Sequence, residues 1–293
     1  MAKISVDGVQ NAEVSKPIPC EKSAKEQLEI MEEYTRVHKE YTGKDKAFRE
    51  INCLKVLFPR LFRSIEETDL IAGRLDFLPI GFGSVTSIGG VGHYCVFHKL
   101  RAFKQLLHTE EEMKRVDALY EYWTDHDVKA IYCQDVLNDT TTGRFIDCTY
   151  PYMATARLSG MMLDYNKLMK LGINGIIDLL KSKKQNAFIQ ASIETMELFK
   201  TVIDEQVILC EKAKENASET RIKDLDRMIS DLKYIKENKP STSHQALQLF
   251  WCYALCAGCI NYGRMDIVLG PYLKNDIDKG IIDEDEAYRY LKS

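Results

Sequence analysis

Residues 244–280 read HQALQLFWCYALCAGCINYGRMDIVLGPYLKNDIDKG, and this stretch decides the fold. Its first half is almost wholly apolar, which predicts a helix that is buried on all sides within a large protein. Gly263 then permits a tight corner, because glycine tolerates positive φ and close backbone approach. A second helix is predicted over residues 266–278, and Gly280 stands where a glycine ends a helix.

The rest of the chain also has helical patterning. Helical spacing of apolar or charged residues extends over residues 21–42, 49–62, 97–122, 165–171, 176–184, 187–215 and 218–237. Asp164 is an expected N-cap, and Ser241 or Ser243 is expected to cap the apolar helix. The short apolar run at residues 70–73 fits either a strand or a buried turn. The pattern predicts a mainly α fold with a few strands.

A last short helix is expected near the end of the sequence. Asp283 and Glu286 have the spacing of a capping box, and Ala287, Tyr288 and Leu291 would form one face. We expect this face, and the apolar helix at residues 245–260, to need cover from residues outside these 293.

Composition excludes several classes of protein. The chain has 293 residues, of which 45% are hydrophobic and 29% charged, with a net charge of −4. It has no basic run that would indicate a nucleic-acid partner, and no apolar segment long enough to indicate a membrane partner. Nine cysteines without a secretory signal favour a cytoplasmic location. Residues 1–20 are expected to form an irregular N-terminal arm.

Three cysteines lie on one face of the apolar helix, namely Cys252, Cys256 and Cys259. One interpretation is a metal or redox cluster, and the other is three small residues in a core. The core is favoured, because no second C-x-x-C pair or histidine follows. A reactive thiol at Cys259 is disfavoured, because only Asn261 offers a nearby polar group. The residues alone therefore indicate no catalytic group, no cofactor-binding group and no metal ligand.

Three stretches together resemble the glycyl radical enzymes, the family of pyruvate formate-lyase and the diol dehydratases. They are IEETDLIAGRL (65–75), SGMMLDYNKLMKLGINGI (159–176) and the opening stretch with its Gly-Arg-Met-Asp. We refer to them as the three family-like stretches. Their order matches the family, and they reach across nearly the whole chain. The resemblance implies that residues 1–293 form one partial pyruvate formate-lyase-like domain, with an N-terminal helical part and the beginning of an α/β barrel.

The same resemblance implies radical chemistry whose central groups are not in this sequence. The family uses a cysteine on a barrel loop and a C-terminal glycine that stores a radical, installed by a separate S-adenosylmethionine iron–sulfur activase. Cys259 precedes Gly-Arg-Met-Asp, whereas the family's radical cysteine lies far after it. The chain is thus expected to be the N-terminal part of a C–C or C–X bond lyase of anaerobic metabolism, inactive alone. Its implied partners are the missing C-terminal half or a second subunit, the activase and a small-molecule substrate.

The resemblance also implies a set of substrate-pocket residues: Met161, Asp164, Cys259, Asn261, Arg264 and Asp266. Met161 stands where the pyruvate-cleaving lyases have Arg and the diol dehydratases have His. A thioether pairs with neither a carboxylate nor a hydroxyl as those groups do, so the pocket wall is expected to be apolar. Arg264 and Asp266 are also expected to stabilise the corner at the end of the buried helix.

Three other interpretations stay open at this point. The first is the product of a gene remnant or truncated reading frame without activity, the second is a partner subunit of a chain that carries the radical groups, and the third is a helical binding protein without radical chemistry. The residues do not separate the first two, whereas a stable monomer would favour the third.

Overall fold

The computed structural model describes residues 20–76, 100, 103–126, 163–258 and 261–293. The α-helices in these ranges are α1 (Ala24–Glu40), α2 (Lys46–Leu57), α3 (Glu110–His126), α4 (Tyr165–Lys181), α5 (Ala187–Lys214), α6 (Glu219–Glu237), α7 (Ser243–Cys256), α8 (Met265–Asp278) and α9 (Glu284–Lys292). The prediction of a mainly α fold is confirmed. The described ranges hold no strand, only an isolated antiparallel bridge between Phe62 and Leu75, so the beginning of a barrel stays a prediction. The arm predicted at residues 1–20 lies, apart from Cys20, outside the described residues.

Local capping sets where the helices begin. The side chain of Asp164 accepts the backbone N–H of Lys167 at the start of α4, as predicted. Thr242 caps α7, so the expectation of Ser241 or Ser243 is wrong by one position. The helix predicted over residues 97–122 is interrupted before α3, because Thr109 accepts the N–H of Glu112 and starts a new helix there.

Helix α7 is the centre of the packing. Most of its residues are buried, and it packs against α4, α5, α6 and α8 of the same chain. The expectation that this helix needs cover from outside the 293 residues is therefore wrong. Long amphipathic helices on both sides supply the apolar faces that cover it, so a helix with little polar surface is accommodated.

Helix α9 turns a different face to the protein from the one expected. Ala287 and Tyr290 are buried, whereas Tyr288 and Leu291 are 65% and 53% exposed. The ring of Tyr290 lies edge-on to His244, with 5.0 Å between the ring centroids. This contact with α7 holds α9 in a rotation that differs from the one its own sequence pattern predicted. Among the described helices, none is long and apolar enough to cross a membrane.

An irregular segment at residues 66–76 is held along α7 by what we call the backbone clamp. The clamp consists of three α7 side chains, four and three residues apart: His244, Gln248 and Trp251. They bond main-chain groups 2.7–2.8 Å away, on Leu70, Ala72 and Gly73. Buried backbone polar groups need partners, and here helix side chains provide them in place of a neighbouring strand. The apolar run at 70–73 is thus a non-strand segment, buried at residues 72 and 73 and half-buried at residues 70 and 71.

Helix α4 bends at Gly172. This residue has φ 67° and ψ −178°, which is not a helical conformation, so two helical segments meet here and the stop predicted at Gly172 is confirmed. The kink brings α4 against the end of α6, where Asn174 Nδ2 donates to the Glu237 carbonyl oxygen at 2.9 Å. A Cβ atom at position 172 would lie 2.9 Å from the backbone nitrogen of Lys239. Only glycine therefore allows the two chain segments to approach this closely.

Candidate functional site

A cleft of about 420 Å³ opens between the start of α4 and the turn that leads into α8. We call it the α4–α8 cleft, and it is lined by Leu163, Asp164, Tyr165, Asn166, Tyr262, Arg264, Ile267 and Val268. The structure thus brings together Asp164 and Arg264, two of the six residues expected at a substrate pocket. They come from two different family-like stretches.

The other expected pocket residues fall into two groups. Asn261 and Asp266 belong to the turn beside the cleft, where Asn261 Oδ1 accepts the N–H of Gly263 at 3.0 Å. This bond supports the tight corner predicted at Gly263, which has a positive φ of 59°. Met161 and Cys259 lie outside the described residues.

Asp164 combines a structural role with its place at the rim of the cleft. Its carboxylate caps α4 and pairs with Lys167 Nζ at 2.6 Å. The hydrogen bond from the Lys167 side chain, together with that from the backbone, lowers the pKa of Asp164 below its usual value. Asp164 is therefore an exposed, ionised carboxylate whose charge is already matched.

Arg264 and Asp266 form a two-bond ion pair in water. Arg264 Nε and Nη2 donate to the two carboxylate oxygens of Asp266 at 2.8 Å and 2.6 Å. The hydrogen bond from Arg264 lowers the pKa of Asp266. Their side chains are 72% and 65% exposed. Because water screens an exposed pair, the expectation that these charges stabilise a buried corner is wrong.

Aromatic rings back the cleft. Tyr165 is buried and stacks on Phe250 of α7, with 4.1 Å between ring centroids. Tyr262 also faces α7, at 6.2 Å from Phe250 and 6.0 Å from Trp251. Reasoning from the sequence missed both tyrosines as cleft residues. The available signal was their position, directly after Asp164 and directly before Gly263.

The cysteines of α7 belong to the core. Cys252 and Cys256 are both buried, which confirms the core interpretation for these two. Burial raises the pKa of Cys252 to about 12 and that of Cys256 well above its usual value, so both are protonated thiols. Across the described ranges, no cluster of three or more His, Cys, Asp or Glu side chains is arranged to hold a metal ion.

Comparison with known sequences gives a consistent result. The model of a family described as pyruvate formate lyase-like matches residues 6–293. A (2S)-3-sulfopropanediol dehydratase of Klebsiella oxytoca is 28% identical over 211 residues, which are 64% of this chain and 25% of the relative. A trans-4-hydroxy-L-proline dehydratase of Clostridioides difficile is 30% identical over 87 residues, covering 27% of this chain and 11% of the relative. The chain thus spans about a quarter of the length of the first relative.

Solved structures share the fold. A glycyl radical enzyme from Archaeoglobus fulgidus superposes with a TM-score of 0.71 at 20% identity, covering 94% of this chain and 38% of that one. The glycerol-bound B12-independent glycerol dehydratase from Clostridium butyricum gives a TM-score of 0.65 at 18% identity, covering 88% of this chain and 35% of that one. The helical arrangement described above is therefore that of a part of these larger proteins.

Proposed function

The chain belongs to the pyruvate formate lyase-like family, and from this premise we propose that it forms part of a glycyl radical lyase of the dehydratase type. In this proposal residues 1–293 are one partial domain that supplies the N-terminal helical part and the beginning of the barrel. Two sequence relatives are dehydratases by name, which supports this reaction class over C–C cleavage. A cytoplasmic location and anaerobic metabolism belong to the same proposal.

The meeting of the three family-like stretches carries the proposal. The backbone clamp ties residues 65–75 to α7. Stacking of Tyr165 on Phe250 ties residues 159–176 to the same helix, and the α4–α8 cleft forms where that stretch meets the turn before α8. The described parts of the three family-like stretches are thus joined through α7, and two of the stretches meet at the α4–α8 cleft.

The proposed role of these residues is to build one wall of a substrate pocket. The six pocket candidates would line or support that wall, and the aromatic backing would keep water away from a reactive intermediate. A glycyl radical in the complete enzyme would supply hydrogen abstraction through a thiyl group. Neither a glycyl motif nor a cysteine loop after Gly-Arg-Met-Asp occurs in the 293 residues. A further polypeptide segment or a second chain would provide both, and the activase would install the radical.

Electron paramagnetic resonance tests whether a further polypeptide supplies the groups that carry the radical. The 293-residue protein is incubated without oxygen with an activase and S-adenosylmethionine. It is expected to give no carbon-centred doublet alone, and a doublet with α-hydrogen splitting once a polypeptide carrying the cysteine loop and glycyl motif is co-expressed. A doublet from the 293 residues alone, or none in the reconstituted complex, refutes the proposal.

A stand-alone helical binding protein, or non-catalytic partner subunit, is the second candidate. One observation favours it: α7 is covered by the chain's own helices. Light scattering after size exclusion separates the two candidates when combined with a hydrophobic dye. A dye-negative monomer with one sharp melting transition supports the binding protein, whereas self-association or strong dye binding supports part of a larger enzyme.

A further inference from the structure

The two ring nitrogens of His244 both lie at hydrogen-bond distance from an acceptor. Nε2 is 2.8 Å from the carbonyl oxygen of Leu70, and Nδ1 is 2.8 Å from a carboxyl oxygen of Asp231. A carbonyl group has no hydrogen to give, so Nε2 is the donor. A carboxyl group is ordinarily ionised at neutral pH, so Nδ1 is a donor as well. A ring that donates from both nitrogens carries two hydrogens and a positive charge.

Burial makes the charge of Asp231 depend on this ring. The side chains of His244 and Asp231 are 6% and 14% exposed. Of the described residues that line the cavity of about 200 Å³ that they share, Arg227 is the one with a permanent cation, and it is paired with Glu286 of α9 at 2.6 Å. Tyr290 of α9 donates its hydroxyl to Glu286, and burial raises the pKa of Tyr290, so it carries no charge near pH 7. Neither Arg227 nor Tyr290 is therefore the counter-charge of Asp231.

The charged groups that α8 and the irregular segment bring to the same place have partners of their own. Asp276 of α8 accepts the backbone N–H of Ser243 at 2.6 Å, where the helix dipole of α7 favours a negative charge. Asp69 of the segment is paired with Arg74 at 2.6 Å. Arg221 of α6 donates to main-chain oxygens of the same segment. Among the described residues, the protonated ring on α7 is thus left as the counter-charge of the carboxylate on α6.

Loss of one proton breaks this arrangement. A neutral imidazole has a single N–H group, so it can donate to Leu70 or to Asp231 but not to both. The acceptor that loses its bond is left in a site that water hardly reaches, which costs free energy. His244 is also one of the three side chains of the backbone clamp, so the loss weakens the hold of α7 on residues 66–76.

We propose that His244 is a pH-sensitive switch, which holds residues 66–76 on α7 while its ring carries two protons and loosens that hold when it loses one. The held segment supplies Ile71 to a cavity of about 330 Å³, whose other lining includes Leu247 and Trp251 of α7. The proton on one buried ring therefore controls the shape of this cavity. The proposal stands apart from the proposed function, because it uses only contacts within the described residues.

Nitrogen-15 NMR of the histidine rings counts the protons directly. Spectra that correlate the ring nitrogens with the carbon-bound ring hydrogens distinguish a doubly protonated ring from either neutral tautomer. They are recorded at pH 7.5 on the folded 293-residue protein and in concentrated urea, and the His244 signals are those absent from His244→Gln. An ordinary histidine ring is about 90% neutral at this pH. His244 is expected to be doubly protonated in the folded protein and neutral in urea, and a neutral ring in the folded protein refutes the proposal.

Asp231→Asn tests whether Asp231 holds the second proton. An asparagine amide can donate to Nδ1, so the ring is expected to keep one hydrogen, on Nε2, and to remain bonded to Leu70 at pH 7.5. A ring that stays doubly protonated in this variant contradicts the proposal. His108→Gln is the matched control, because His108 is exposed, and it should leave the His244 signals unchanged.

The pH dependence of stability tests the switch itself. A proton that the folded chain binds more tightly than the unfolded chain contributes stability at acidic pH, and this stability is lost as pH rises. Between pH 6 and pH 9 the urea midpoint of the wild type is therefore expected to fall more than that of His244→Gln, whose amide has no proton to lose. His108→Gln should follow the wild type. Equal falls in the wild type and His244→Gln overturn the proposal.

The indole N–H of Trp251 reports the position of the held segment, because it donates to the carbonyl oxygen of Gly73 at 2.7 Å. Its NMR signal is expected to shift as the His244 ring titrates. The indole N–H of Trp123 donates to Thr35 of α1 and serves as the internal control, whose signal should not follow that ring. A Trp251 signal that stays in place while the His244 ring titrates shows that the segment is not released, and the switch is then refuted.

Discussion

Replacement of Gly172 by alanine should destabilise the protein more than the same replacement of Gly280, which also has a positive φ and ends helix α8. Gly172 has φ 67° and ψ −178°, a region that is nearly restricted to glycine and costs other residues about 1–3 kcal/mol. The new Cβ atom would lie 2.9 Å from Lys239 N and 3.0 Å from Lys239 Cα. Both are backbone atoms, which cannot rotate away, and overpacking of this kind adds about 1–3 kcal/mol. The expected loss is therefore about 2–6 kcal/mol.

Gly280→Ala is the matched control. Gly280 ends α8 with a similar positive φ of 64°, but nothing lies within 4 Å of a Cβ atom built there. Its replacement should cost only the conformational term, about 1–2 kcal/mol. The difference between the two variants therefore reports mainly the contact between α4 and the chain at Lys239, together with the smaller difference between the two backbone conformations.

Thermal unfolding followed by circular dichroism measures that difference. One kcal/mol corresponds to about 2–4 °C in Tm for domains of 150–250 residues, so Gly172→Ala should melt several degrees below Gly280→Ala. Equal melting temperatures would show that α4 does not pack against the end of α6 as described. The conformation of Gly172 would then be a local feature of α4 that does not hold α4 against the end of α6.

Three further predictions concern single side chains. Gln248→Leu removes both clamp bonds to a buried main chain and should lower stability by about 2–5 kcal/mol, measured by urea unfolding; an unchanged midpoint would contradict the clamp. Arg264→Ala should leave Tm within about 1 °C, because its ion pair is exposed; a large loss would restore the structural role. Hydrogen bonds from Tyr290 and Arg227 lower the pKa of Glu286 below 4.5, so its contribution is present above pH 4.5 and is lost as pH falls through the lower folded value. The Tm gap between wild type and Glu286→Gln should therefore shrink between pH 7 and pH 3, and a constant gap would refute it.

Much of the helical framework could be predicted from the sequence. Helices α5 and α6 were expected over residues 187–215 and 218–237, and they occur at Ala187–Lys214 and Glu219–Glu237. Their ends carry strong local signals, such as Ser218 accepting the N–H of Arg221. Features set by distant partners were not predictable in the same way. The buried face of α9 depends on His244, more than forty residues away on α7.

The candidate site could likewise be predicted only in part. Asp164 and Arg264 were found through resemblance, because neither stands in a catalytic or metal-binding pattern of its own. The two tyrosines of the cleft were missed, since an aromatic residue beside a turn is more often core than site. The backbone clamp was also missed: it pairs side chains with main-chain groups more than 170 residues away, which produces no periodicity in either segment.

The clamp also determines which positions can drift during evolution. The Gln248 side-chain amide donates one hydrogen bond to Ala72 and accepts another from it, so sliding the segment by one residue would break both bonds. The α7 side chains bond main-chain atoms, so the register itself does not depend on which side chains stand at residues 70 and 71, and only apolar packing limits them there. Ala72 is fully buried and donates its N–H, which excludes larger residues and proline. Gly73 is restricted as well, because its φ is 122° and a Cβ atom there would meet Leu255 at 3.0 Å. Mutational tolerance should consequently be narrow at Gln248, Ala72 and Gly73 and wider, among apolar residues, at positions 70 and 71.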